Sequence, residues 1–251
     1  MTWDGALAAF VVGTLIYGSG GIGFTIVLLA FFVPSIALSR VGRARKRALD
    51  TVAKGGARDA WQVAANGGIA ALAAVAWAQR PYVAEAAAFA GALAAANADT
   101  WATEIGTLAR RPPRSILTFR RLETGLSGGV SLPGTLAEIA GALWIGLVAL
   151  AGALLAYRFM VAPYLTPDPG PLAPLLLAVP AGGVAGATVD SLLGATVQEL
   201  RWCPVCERAC ESDPHACGTP TTLHRGVRGV SNDVVNVLAT LAGAAVAFAL
   251  A

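Results

Sequence analysis

The chain has 251 residues, 56% of them hydrophobic and only 13% charged, with a net charge of +3, whereas soluble domains carry about 25% charged residues. Together with a mean hydropathy of +0.64, this excludes an ordinary soluble domain, and so small a basic excess gives no footprint for nucleic acid. The expected architecture is all-α: one membrane domain over residues 1–251, a polytopic bundle of about six to seven transmembrane helices.

Of the 18 Lys and Arg, seven fall in residues 40–58, five in 110–121 and four in 201–228. The positive-inside rule places these segments in the cytoplasm, and the expected location is the cytoplasmic membrane. All four Cys lie in the third segment, where cytosolic reduction favours a metal site or free thiols over disulfides. The N-terminus, Met1-Thr2-Trp3-Asp4 and an apolar run, lacks the basic region of a cleaved signal peptide and is expected to stay in the mature protein.

Residues 4–17 and 22–38 are two apolar runs separated by Gly18-Ser19-Gly20-Gly21. Each is near the lower limit of a span, about 17 residues. They read as two short or tilted helices, with one broken re-entrant unit as the alternative. The basic segment that follows ends in Lys54-Gly55-Gly56-Ala57-Arg58 and leads into a helix. Two glycines and two cations before a helix start suit an anion, although this is no Walker A loop. Arg58, Gln62 and Asn66 recur at i, i+4 and i+8 as one polar stripe. Anionic lipid head groups explain the arginines of residues 40–47 but not Gln62 and Asn66.

Residues 69–96 read as a helical hairpin turning at Pro81, and its second arm ends in Asn97-Ala98-Asp99-Thr100-Trp101-Ala102-Thr103-Glu104-Ile105-Gly106. An ionisable group at membrane depth costs about 2.5–3.5 kcal/mol on insertion scales, so such groups face a bundle interior or a watery cavity. On a helix Asn97, Thr100 and Glu104 share a face, with Asp99 and Thr103 adjoining. Carboxylates with amide and hydroxyl neighbours suit Mg²⁺ better than Zn²⁺. The plainer alternative is a polar helix end capped at the interface. A second basic loop leads to Gly125-Leu126-Ser127-Gly128-Gly129-Val130-Ser131, a candidate nest for phosphate oxygens, and then to an apolar span that carries Glu138.

Residues 158–174 form a Pro-rich outer loop, and the next span ends in Asp190-Ser191, with Thr196 and Gln198 beyond. An acid followed by a hydroxyl at a span end repeats the Asp99-Thr100 pattern. Residues 199–228 hold Cys203, Cys206, Cys210, His215, Cys217 and His224. Cys203, Cys206, His215 and Cys217 are the expected ligands of a small cytoplasmic zinc knuckle, with Cys210 as the alternative fourth. Four ordinary reduced thiols are the other reading. The last span opens with Asn232-Asp233-Val234-Val235-Asn236, placing Asn232 and Asn236 on one face beside Asp233. With seven spans, all these polar motifs meet on the cytoplasmic side. Acids for Mg²⁺ and cations for phosphates are the parts that phosphoryl transfer needs. No Ser-His-Asp or Cys-His arrangement and no Rossmann fingerprint is present.

These blocks, from Lys54-Gly55-Gly56 through Asn97–Gly106, Ser127–Ser131 and Val189–Gln198 to Asn232–Asn236, resemble the signature blocks of an integral-membrane family that includes plant phytyl-phosphate kinase. The resemblance covers nearly the whole chain. It implies a phosphotransferase adding a second phosphate to an isoprenyl monophosphate, phytyl or polyprenyl, at the expense of a nucleoside triphosphate (CTP or ATP). Under it Asp99, Glu104, Asp190 and Asp233 hold Mg²⁺ or act as base. Asn66, Asn97, Asn232 and Asn236 orient oxygens, and Lys54, Arg58 and the Ser127–Ser131 turn (Ser127, Gly128, Gly129, Ser131) grip phosphates. Gln62, Thr100, Thr103, Ser191 and Gln198 complete the expected substrate contacts, membrane lipids are partners, and a homodimer stays open. Two alternatives stand beside this reading: a cytidylyltransferase-like enzyme, which releases pyrophosphate, and a transporter of an anionic substrate.

Overall fold

The computed structural model describes residues 1–42, 58–159, 172 and 174–251. Lys54, most of the first basic cluster and most of the Pro-rich loop lie outside the described residues. Six helices are present among the described residues: α1 (Trp3–Arg40), α2 (Ala60–Gln79), α3 (Val83–Gly106), α4 (Leu132–Phe159), α5 (Leu175–Thr196) and α6 (Asn232–Leu250). Between them run β1 (Arg114–Ser115) and β2 (Gly129–Val130), paired antiparallel. A three-stranded sheet of β3 (Leu200–Cys203), β4 (Arg208–Cys210) and β5 (Thr222–Arg225) has the order β4-β3-β5. The expectation of a helical bundle holds, while its all-α form is corrected by these short strands. They occur where the polar, glycine-rich loop and the insert must satisfy their backbone groups without a helix.

Helices α1, α4, α5 and α6 have the length and apolarity to cross a membrane. Large apolar side chains such as Phe10, Leu147, Leu177 and Phe248 are exposed on the bundle surface, where lipid rather than water is the fitting solvent. A straight α1 of 38 residues would extend about 57 Å, nearly twice the hydrocarbon thickness of about 30 Å. It does not run straight. Gly21 sits at φ 60° and ψ −150° inside it, a conformation open to glycine and costly for other residues. Near its start the Thr2 N–H donates to the Arg58 carbonyl at 3.1 Å, and beyond its end Gly42 lies against Leu108. Phe24, just past the break, stacks on Phe89 with centroids 4.0 Å apart and lies 5.0 Å from Trp77. Both ends of α1 thus meet one end of the bundle, and Gly21 turns it at the other. The two arms match the two short apolar runs.

Helix α3 is the axis. It contacts each of the other five described helices, and its middle, from Phe89 to Ala98, is buried throughout. That stretch is mostly alanine and glycine because close backbone approach, rather than large side chains, is what packs helices in lipid. A Cβ added at Gly243 of α6 would lie 2.7 Å from the Ala95 Cβ and 2.8 Å from the Gly91 carbonyl oxygen. Asp59 caps α2 by a reciprocal box: the Gln62 N–H donates to Asp59 Oδ1 at 2.9 Å and the Asp59 N–H to Gln62 Oε1 at 3.2 Å, an arrangement worth about 0.5–2 kcal/mol.

Candidate active site

At the end of the bundle where α2, α4 and α6 begin and α3 and α5 finish lies a cavity of ≈ 260 Å³. The last two turns of α3 form its floor. Asp99, Thr103 and Gly106, with Thr100, Glu104 and Thr107, line it, two adjoining rows at helical spacing. Asn97 does not reach it: fully buried, it turns sideways and its Nδ2 donates to the Gly141 carbonyl of α4 at 2.8 Å. Close packing against Gly141, not helix periodicity alone, sets that direction.

The other walls come from the whole chain. Asn66 faces in from α2, Asp190 and Ser191 from α5, Asn232 and Asn236 from α6, and Glu138 and Thr135 from α4. Ser127, Gly128, Gly129 and Ser131 line the loop side, and Ser131 caps α4 by accepting the Gly134 N–H at 3.2 Å. Arg58 closes the edge; its carbonyl is held by the backbone and hydroxyl of Thr2. Three more expected site residues do not line the cavity. Gln62 is spent in the α2 cap, Asp233 sits in the first turn of α6 without lining the cavity, where its charge suits the helix dipole, and Gln198 is buried behind the loop. The Gln198 Nε2 donates to Ser127 Oγ at 3.0 Å and to Glu211 Oε2 at 3.1 Å.

Two lining acids are additions to the expected set. Glu138 is within electrostatic reach of Asp99 and hydrogen-bonded with Thr188; its signal was a lone charge at the start of an apolar span. Glu211 enters from the Cys-rich insert and accepts the Ser127 N–H at 2.8 Å. Nothing in its local sequence marks it. Its carboxyl is pushed above the usual range, foremost by burial, against the hydrogen bonds from Ser127 and the charge of Arg225. The Ser127 N–H is thus taken by a protein carboxylate rather than offered as part of a phosphate nest.

Five carboxylates (Asp99, Glu104, Glu138, Asp190 and Glu211) and one cation, Arg58, line the cavity among the described residues. Burial lowers the pKa of the Arg58 guanidinium, and the charge of Glu104 opposes that shift. Asp190 lies within electrostatic reach of both Asp99 and Glu211, and its Oδ2 is buried with no hydrogen-bond donor among the described residues. Like charges confined at low dielectric repel strongly, so this set fits a hard divalent cation with oxygen ligands.

In the insert, the ligand atoms of Cys203, Cys206, His215 and Cys217 all lie within 4.8 Å of one another. The Cys203 and Cys217 sulfurs are 3.7 Å apart, close to the tetrahedral edge of about 3.8 Å that a Zn–S bond of about 2.3 Å implies. The His215 Nδ1 is 3.1 Å from the Cys217 sulfur. The Cys217 thiol is lowered to about 6, first by the Thr219 hydroxyl and then by His215, which favours the thiolate a metal needs. Cys210 stands apart and points its sulfur at the Ser212 carbonyl. These four residues fit Zn²⁺.

The chain is similar to known proteins. "Protein PGR" of Arabidopsis thaliana is 32% identical over 222 residues, 80% of this chain and 73% of the plant protein. An uncharacterized membrane protein of Methanocaldococcus jannaschii is 32% identical over 200 residues, 76% of this chain and 72% of its own. One from Synechocystis is 25% identical over 248 residues, 96% and 79% of the two chains. No solved structure matches. The family resemblance carried by the sequence blocks is borne out. A family model described as integral membrane protein DUF92 matches residues 1–244, and the chain belongs to that family.

Proposed function

We propose that this protein is a membrane kinase that transfers the terminal phosphoryl group of a nucleoside triphosphate to an isoprenyl monophosphate, giving the diphosphate and a nucleoside diphosphate. One observation carries the reading: a cavity at the end of a lipid-facing bundle, lined by five carboxylates, two asparagines of α6 and one arginine. Such an acid surplus serves an anionic substrate only through divalent cations, and phosphoryl transfer is the chemistry built on that arrangement. The resemblance of the sequence blocks to the family with phytyl-phosphate kinase supplies the substrate class.

Asp99 and Asp190, with Glu138 and Glu104 beside them, would hold Mg²⁺, which when bound neutralises charge on the transferring phosphates. Arg58 takes a phosphate oxygen at the rim, and Asn66, Asn232 and Asn236 orient others by their amides. The acceptor phosphate is already ionised at neutral pH, so the chain has little need of a strong base. A cavity of ≈ 260 Å³ is below the roughly 300–1,000 Å³ of sites that enclose a drug-sized ligand. It suits phosphate groups, with the isoprenoid tail lying along the apolar helix faces. Each basic segment of the sequence puts a residue into the lining, Arg58, Pro113 and Glu211, which by the positive-inside rule supports a site on the cytoplasmic face.

The test is purified protein in detergent with Mg²⁺, CTP or ATP, and phytyl, geranylgeranyl or longer polyprenyl monophosphates, with products read by mass spectrometry. Isoprenyl diphosphate with stoichiometric nucleoside diphosphate is expected. Release of pyrophosphate, or no product from any pair, would overturn the kinase reading.

A further inference from the structure

Glu211 stands between the two halves of the Cys/His ligand set, after Cys203 and Cys206 and before His215 and Cys217, yet its carboxylate lies in the cavity wall. There it accepts the Ser127 N–H at 2.8 Å and the Gln198 amide at 3.1 Å. The adjacent Gly128 packs so tightly on the end of α5 that a Cβ would come within 2.6 Å of the Ala195 Cα. From β5, Arg225 donates to the Gly194 carbonyl at 2.9 Å. The insert therefore grips the glycine-rich turn through Glu211 and the end of α5 through Arg225, and so bridges the two. Beyond its three-stranded sheet and the bonds of Arg201 to Glu199, Asp213 and Thr221, it has almost no apolar core, because its only buried apolar side chains among the described residues are Cys203 and Cys210. So small a unit depends on a staple, here a metal.

We infer that Glu211 is a positioning residue that makes the Cys/His insert a working wall of the cavity, so that the ion closing the insert also fixes the Ser127–Ser131 turn. Zinc is then part of the geometry of the site as well as of the fold of the insert. The readout is amide hydrogen exchange of the peptide covering residues 124–131 in the full-length protein in detergent, and it stands apart from whatever reaction the cavity performs. Removing the Glu211 carboxyl takes away the acceptor of the Ser127 N–H. Glu211→Ala in the zinc-loaded protein should therefore speed exchange of that peptide about tenfold or more, while exchange in α3 stays unchanged. Glu211→Gln keeps an acceptor for the Ser127 N–H and should remain near wild type. Chelating zinc from the wild-type protein should give the Glu211→Ala pattern, and chelation should add nothing to Glu211→Ala. Unchanged exchange in Glu211→Ala, no rescue by Glu211→Gln, or additive effects of chelation and substitution would each overturn the inference. Should chelation loosen α3 as well, the comparison of the two loaded variants decides by itself.

Discussion

At Asp99, Glu138 and Asp190 the chain accepts the cost of carboxylates inside an apolar bundle, and it aims all three into one cavity. Glu138 gives the sharpest residue-level prediction, since it lies within reach of Asp99 and is tied to Thr188. Glu138→Gln keeps the size and the hydrogen-bonding capacity while removing the charge. Turnover should fall on the order of 10–100-fold, as on loss of a supporting group around a metal, with the thermal midpoint in detergent unchanged; wild-type rates in the folded variant would remove Glu138 from the site. Asp99 and Asp190 were legible as cavity-facing acids because a charge at membrane depth is too costly to be incidental, whereas Asp233, expected on the same ground, does not line the cavity. Glu211 was not, because its partner Ser127 is 84 positions away and only the folded insert brings them together. Asn97 was legible as polar and buried, but its direction depends on Gly141 of another helix.

Among the elements, α3, α5 and α6 hold the cavity floor in place through glycines facing alanines. Gly243 touches Ala95 and backbone of α3, so Gly243→Val should separate α6 from α3 and destabilise the fold by about 1–3 kcal/mol, the usual cost of overpacking. A lowered midpoint in a detergent thermal-shift measurement checks this, and an unchanged midpoint would contradict the packing described. The runs of residues 4–17 and 22–38 were read as two short helices or one broken re-entrant unit, since Gly18–Gly21 interrupts the apolar pattern, and the break falls there, at Gly21. That both arms return to the cavity end depends on Thr2 meeting Arg58 and Gly42 meeting Leu108, contacts across the chain that local sequence does not encode. The short strands were missed for a related reason: pairs such as Ser115 with Gly129 have no period-2 pattern to announce them.

For the whole molecule, Arg40 and Arg58 at the two borders of the first basic segment, the other two basic segments, the polar helix ends and the Cys/His insert gather at one end of the bundle, while its flanks present apolar side chains. If that end faces the cytoplasm, a cysteine replacing the exposed Arg120 should react with a membrane-impermeant maleimide in inside-out vesicles and be protected in right-side-out ones; the opposite pattern would reverse the orientation. The central claim, that this cavity performs phosphoryl transfer, is tested most directly by one rate measurement. Wild type and Asp99→Asn are given isoprenyl monophosphate, nucleoside triphosphate and Mg²⁺, and isoprenyl diphosphate formation is followed alongside a thermal-shift control. The account predicts product with the wild type and a loss on the order of 10²–10³-fold, the scale seen when one charge-stabilising group is removed, in a variant that remains folded. Equal rates in the two proteins would place the chemistry somewhere other than Asp99 and contradict the account.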